Sequence, residues 1–370
     1  MLGGTRRQLS LLKRRLMTRR WKALIPEPRG KLAPGSGPIT IVIVCGPEFD
    51  QTIPNASTTM RLGLGRGFEQ IGIPYLLLDI YDLAKRLPEI PNPLCWISGD
   101  DFLYLSRANL AALRKHQHVV WVGPWFEGEA AFYKRHGLPR ISPSEKNNLR
   151  ILDSNPSFVF TIAPESSFEY FEQWIRHGAR LVSLPLACDT SLYNRDVASC
   201  PEFVDVEIAF VGGYWPYKAR QLDCYLKPYA SQLRVFGYTA WPYAGYGGRL
   251  PVEREPALYR QAKLSPTINE PHVQVMGTDM NERVFKVLGS GGMTITDATP
   301  GYRAWFTPNE LLVPGNLDEY HEMVHQALDD SDFNHRYRLS GYRAVMERHT
   351  YAHRARMILN HLGIPVPAIP

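Results

Sequence analysis

Two hydrophobic periods alternate along most of this chain. Residues 39–45, 75–80, 94–98, 119–122, 158–162 and 181–184 are apolar runs of strand length, bounded by turn residues. Between them, residues 58–72, 107–116 and 168–177 carry apolar positions at helical spacing. Strands alternating with helices predict a parallel sheet with helices on both faces. A second cycle starts at residue 206. Its strands are expected at 208–211, 233–236, 264–268, 293–296 and 311–313. Its helices are expected at 220–229, 256–262, 280–288 and 317–329, with two more near the end. The proline- and loop-rich stretch 189–205 separates the cycles as a hinge. The fold class is therefore α/β, with two Rossmann-like, doubly wound domains at 38–195 and 196–347.

Size and composition agree with this division. A chain of 370 residues accommodates two cores, and 44% hydrophobic with 21% charged residues reads as a soluble globular protein. No apolar run reaches the roughly 18 to 20 residues that span a bilayer. Charge changes the picture at one end. Residues 1–37 hold ten Lys or Arg and one Glu, so against +6 for the whole chain the remainder carries −3. Within this basic arm and linker, residues 6–24 read as an amphipathic helix, with Leu9, Leu12 and Leu16 on one side and Arg7, Arg14, Arg15, Arg19 and Arg20 around the rest. Such a segment suits peripheral contact with an anionic membrane, or nucleic acid, or is a solvated extension. The −3 body weighs against nucleic acid. The five cysteines are widely spaced with no C-x-x-C pair, as expected of reduced packing residues in a cytoplasmic protein, here soluble or peripheral at the inner face of the membrane.

The candidate chemistry gathers at 281–297, NERVFKVLGSGGMTITD, where a helix, a glycine break and a strand follow without a spacer. Met280, Val284, Val287 and Leu288 form one apolar stripe, and Arg283 and Lys286 point elsewhere. Asp279 and Glu282 are spaced as a capping box at the helix start. Gly289-Ser290-Gly291-Gly292 ends the helix where a backbone can approach a ligand. A helix N-terminus fed by a glycine-bearing loop suits an anion. In open α/β sheets ligands bind at the carboxyl ends of strands. That rule adds Gly212 and Gly213, Tyr238, Asn269 and Glu270 to the candidate ring.

These residues resemble the C-terminal half of the spore-maturation (CgeB-like) glycosyltransferases, within the two-domain GT-B sugar-nucleotide transferases. Asn281, Arg283, Phe285, Ser290, Gly291, Gly292, Thr296 and Asp297 fit the family motif, as do 208–220 (IAFVGGYWPYKAR) and 349–354 (HTYAHR). The resemblance implies two halves facing a central cleft, with segment 348–370 bringing the last helix back to the first domain. It implies transfer of a sugar from a nucleotide donor, a UDP-sugar by expectation, to a hydroxyl of a glycan, lipid-linked or surface-polymer acceptor, without metal or other cofactor. Lys218, Arg220 and Arg283 become candidates for the donor diphosphate. Lys286 departs from the pattern, standing where the family has Glu. A protonated lysine has only donors and cannot accept from ribose hydroxyls. Either another acceptor holds the ribose, with Glu282 and Asp297 near in sequence, or the donor differs, or donor binding has weakened; Lys286→Glu is expected to tighten UDP binding if that acceptor is missing.

An inverting transfer needs a general base from the first domain. Asp100 and Asp101 follow the strand at 94–98, and Glu48 and Asp50 follow the first strand. Two alternatives stand beside catalysis: a non-catalytic sugar-nucleotide binder, and a DNA-base glycosyltransferase that uses the arm. Two motifs are set aside. Gly63-Leu-Gly-Arg-Gly67 lacks dinucleotide spacing and reads as a narrow helix face for packing. His349 and His353 have metal-ligand spacing, but Thr350 stands where a zincin has Glu.

Overall fold

The structure, a computed structural model, describes residues 39–47, 49, 56–123, 145–277 and 280–366. The basic arm with its expected helix lies outside the described residues, as do Glu48, Asp50 and Asp279.

Six parallel strands form the first sheet: β1 (Thr40–Cys45), β2 (Tyr75–Asp79), β3 (Pro93–Ser98), β4 (Gln117–Val122), β5 (Phe158–Thr161) and β6 (Leu181–Ser183). Their order is β2-β1-β3-β4-β5-β6. Every residue of β1 is buried, because its alternate side chains feed two different cores. Ile41, Ile43 and Cys45 pack on one face of the sheet, Val42 and Val44 on the other.

The second sheet holds β7 (Ile208–Val211), β8 (Leu233–Phe236) and β9 (Gly245–Tyr246), in the order β7-β8-β9. The expected strands at 264–268, 293–296 and 311–313 continue it beyond β7 through the bridges Ile208–Leu264, Thr267–Thr296 and Ile295–Leu312. With these segments counted, chain order reverses at β7, and the loops after β7 and after residue 268 flank a topological switch point.

Four helices position the cleft: α1 (Ala56–Gln70), α2 (Glu255–Gln261), α3 (Glu282–Gly289) and α4 (Tyr351–His361). Elsewhere two expected helices are shorter. The one at 220–229 ends at Leu226 and tightens into a 3₁₀ turn, Lys227–Tyr229, at Pro228. The one at 168–177 is a 3₁₀ turn, Glu165–Phe171, before a short helix, Glu172–Arg176. The helix Glu145–Asp153 went unexpected because only three of its nine residues are apolar.

Helix α4 returns to the first half and lies against α1, where glycines make room for it. A Cβ on Gly63 would sit 2.5 Å from the Tyr351 ring, and one on Gly67 would sit 2.4 Å from the Tyr351 backbone. The glycine run in α1 is thus a packing face. The two chain crossings run side by side: Cys188 N–H donates to the His349 carbonyl (2.8 Å) and Tyr351 N–H to the Cys188 carbonyl (3.0 Å). Arg354, almost wholly buried, ties both crossings by donating to the carbonyls of Pro185, Leu186 and Arg348.

His349 takes part in the same clamp. Its Nδ1 accepts from Arg354 (3.0 Å), so its protonated Nε2 donates to the Trp305 carbonyl (3.1 Å). His353 instead closes a capping box with Thr350. The two imidazoles are used structurally, one in the clamp and one as a helix cap. Burial, with Arg354 adding to it, pushes the His349 pKa down to about 3. An ordinary unfolded-state histidine titrates near ~6.5. Below that value the unfolded chain binds the proton that the folded chain refuses. Stability is therefore full above pH ~6.5 and falls as pH drops toward 3, by roughly 1.4 kcal/mol per unit for this residue. Thermal unfolding between pH 7.5 and 5 should show that decline, and His349→Gln should flatten it.

Candidate active site

A cleft of about 1030 Å³ lies between the two sheets. Its first-half wall includes Met60, Arg61, Asp100, Asp101, Tyr104 and Trp121; its second-half wall includes Gly212, Gly213, Tyr238, Asn281, Arg283 and Lys286. Both walls come from the carboxyl ends of strands: Asp100 and Asp101 from the turn after β3, Gly212 and Gly213 from the turn after β7.

Arg283 is the cation best placed to meet an anion. Its guanidinium stacks over Phe210, 4.1 Å from the ring centre, and its Nη2 donates to the Val211 carbonyl (2.6 Å). Among the described residues its buried Nη1 has no acceptor at hydrogen-bond distance, and Tyr259 lies beside the guanidinium. Helix α3 begins beside it, capped by Asn281, whose side chain accepts from Arg283 N–H (3.0 Å). The cap at this terminus is Asn281. Gly213 lines the same wall. Gly212 is spent on the fold: its N–H donates to the Phe236 carbonyl and its carbonyl accepts from Trp241.

Several sequence candidates lie outside the cleft lining or have their side chains engaged by the fold. Arg220 is exposed and is not part of the cleft lining, because the turn Trp215–Lys218 carries the start of its helix outward. Lys218 is buried; its Nζ donates to the Ile268 carbonyl (2.7 Å) and to Glu270 (3.1 Å), joining two loops. Burial pushes its pKa down, with Glu270 opposing. Asn269 lines the cleft, but its side chain is consumed by Asp297, Thr299 and Tyr302. Asp297 is fully buried and serves as the acceptor for Asn269 and Gln274. Ser290 caps the end of α3 by donating to the Lys286 carbonyl.

The glycine break approaches protein, not ligand. A Cβ on Gly292 would meet the Tyr259 carbonyl at 2.3 Å, and one on Gly291, at φ +74°, would meet Arg195 at 3.0 Å. Helix α2 and the segment after α3 press together there, which is why no side chain fits.

On the first-half wall the two neighbouring acids differ. Asp101 is buried and paired with buried Arg61 at 2.7 Å. A Cβ on Gly46 would overlap the Asp101 carboxylate, so the glycine after β1 is what lets this acid lie under the sheet edge. Asp100 is half-buried on the cleft surface.

Lys286 is held in a buried cluster that the sequence did not reveal. Its Nζ meets Glu282 at 2.9 Å and lies 5.3 Å from the centre of the Tyr193 ring. Glu282 also accepts from Thr59 of α1 (2.7 Å) and Tyr351 of α4 (3.1 Å), so one carboxylate bridges the two halves. Glu282 and Asp297 are thus both committed, and neither is available as a substitute acceptor. Burial alone would lower the Lys286 pKa, but Glu282 and Glu255 outweigh it and hold it raised. Lys286→Glu would gather three carboxylates around one buried point. That change is expected to destabilise the protein, contrary to the sequence-based expectation of tighter UDP binding.

Missed altogether were Glu255, Tyr259, Arg249 and His272, all cleft residues outside any motif. His272 is 5% exposed, its Nε2 has no partner among the described residues, and burial pushes its pKa down to about 4.

Comparison with known proteins gives this geometry its setting. A family model described as glycosyl transferase-like matches residues 218–360. No curated protein matches the chain by sequence. Sucrose-phosphate synthase from Thermosynechococcus elongatus matches in structure with a TM-score of 0.59 at 11% identity, over 88% of this chain and 98% of that one. HepE from Anabaena, solved in complex with UDP and glucose, matches with 0.58 at 11%, over 88% and 99%. BGT of T4 phage, solved with UDP and Mn2+, matches with 0.56 at 10%, over 88% and 100%. The chain has the GT-B glycosyltransferase fold, and its residues 218–360 form a glycosyl transferase-like region.

Proposed function

We propose that this GT-B chain transfers a sugar from a UDP-sugar, bound on the second half, to a hydroxyl of a glycan, lipid-linked or surface-polymer acceptor bound on the first. The observation that carries the reading is Arg283: a guanidinium that lines the cleft, fixed at a strand end beside a helix N-terminus. Such a group stabilises the charge that develops on a departing diphosphate. UDP as the carrier is supported by the ligands of HepE and BGT. The motif around Asn281, Arg283 and Phe285 supports a place near the CgeB-like branch. Cation and helix terminus would do the neutralising, so turnover is expected to persist in EDTA.

Asp100 is the acid we assign as general base, since Asp101 is committed to Arg61. Asp100→Asn should lower kcat by about 10²- to 10⁴-fold while UDP affinity holds. The deciding experiment is a thermal-shift screen with UDP-, GDP-, dTDP- and CMP-sugars, followed by an assay for released UDP. Stabilisation by a UDP-sugar with slow release in water supports the reading; no shift with any donor rejects it.

The reaction is placed in the cytoplasm, with residues 1–37 as an anionic-membrane contact. Among the described residues no helix is long and apolar enough to cross a membrane. Deleting 1–37 should abolish sedimentation with anionic liposomes and leave turnover on a soluble acceptor intact.

A further inference from the structure

We infer that Glu255 is the carboxylate that receives hydroxyl groups of the bound donor, a role supplied by α2 and not by the motif helix α3. Glu255 is the first residue of α2 and lies in a segment that no motif marks. It lines the cleft yet is only 3% exposed. One carboxylate oxygen accepts from the Tyr193 hydroxyl at 2.7 Å. Among the described residues, the other oxygen takes no hydrogen bond. That oxygen is not among the buried polar atoms left without a partner, so it is open to the cleft, where a hydroxyl donor can reach it.

The Glu255 pKa is raised, with burial the main cause; Lys286 and the Tyr193 hydroxyl act against it. An ionised carboxylate has only acceptors, and hydroxyls are the donors that a sugar nucleotide presents beside its diphosphate. Arg283, the cation assigned to that diphosphate, lines the same cleft wall as Glu255. Lys286 thereby acquires a purpose. It cannot accept from a pair of hydroxyls as a glutamate would, but it supplies positive charge to a carboxylate reaching the cleft from another helix. Tyr193 and Lys286 are positioning residues, and Glu255 makes the contact.

Two hydroxyl-bearing groups flank a donor diphosphate, the ribose and the transferred sugar. This inference rests on the sugar-nucleotide reading, and the test separates the two. Calorimetry would use wild type, Glu255→Gln and Glu255→Asp with UDP, 2′-deoxy-UDP and UDP-glucose. Glu255→Asp keeps the charge that Lys286 faces and withdraws the oxygen by one methylene, so it guards against a folding defect in Glu255→Gln. The expected result is a loss of about tenfold or more in affinity in both variants. A loss already seen with UDP, together with lost discrimination against 2′-deoxy-UDP, assigns the ribose. A loss confined to UDP-glucose assigns the sugar. Wild-type affinity for all three ligands in both variants would overturn the role of Glu255 while leaving the donor site standing. Wild type that binds none of the three would overturn both readings together.

Discussion

Replacing Arg283 with alanine is expected to lower kcat/KM by a factor of about 10² to 10³ in a protein that still folds. The side chain stacks on Phe210 and makes one charge-assisted bond to the Val211 carbonyl, contacts whose loss costs roughly 1 to 3 kcal/mol each. A stability measurement on the same variant separates that structural cost from the charge delivered to a leaving diphosphate. Arg283→Lys should recover only part, because an ammonium cannot both hold the strand carbonyl and present a second nitrogen in a fixed plane. Steady-state kinetics with a UDP-sugar, alongside UDP calorimetry, read the effect. An alanine variant with wild-type kcat/KM would remove the main support for the donor site.

Asp101→Ala is the change expected to cost most stability, about 3 to 5 kcal/mol. Both members of its pair are 2% exposed, and Arg61 sits above Trp96 with its remaining donors on Val44 and Ser57. Removing the carboxylate leaves the buried guanidinium without its paired charge. Denaturant melts should show the loss directly. The contrast with Asp100→Asn separates the two neighbours: one should lose fold stability, the other turnover.

Those adjacent acids show how far the sequence could be read. Both were visible as polar residues after a strand, which is a statement about the chain's path. Which one lies under the sheet edge depends on Gly46, 55 residues away, leaving space for a carboxylate. The strands were legible because burial on two faces writes long apolar runs, as in β1. The glycines after α3 were legible as a close approach, but the partner was not. A glycine records that something is near, and here it is the backbone of α2 and the side chain of Arg195. Lys286 was legible as an anomaly in its motif, whereas its counter-charges come from one residue a helical turn away and another at position 255. Contacts of that kind are properties of the folded arrangement and leave no spacing to detect.

The paired crossings near Cys188 and Thr350 have a practical corollary. Because the final helix is seated on α1, the carboxyl end of the chain travels with the first sheet and not with the sheet that precedes it in sequence. A fluorophore placed after residue 362 and one on the helix Arg107–Arg114 would keep a constant separation through a catalytic cycle. A partner dye on the helix Leu317–Asp329 would report any swing of one lobe against the other, and the bending would be concentrated in two short lengths of chain pinned by Arg354.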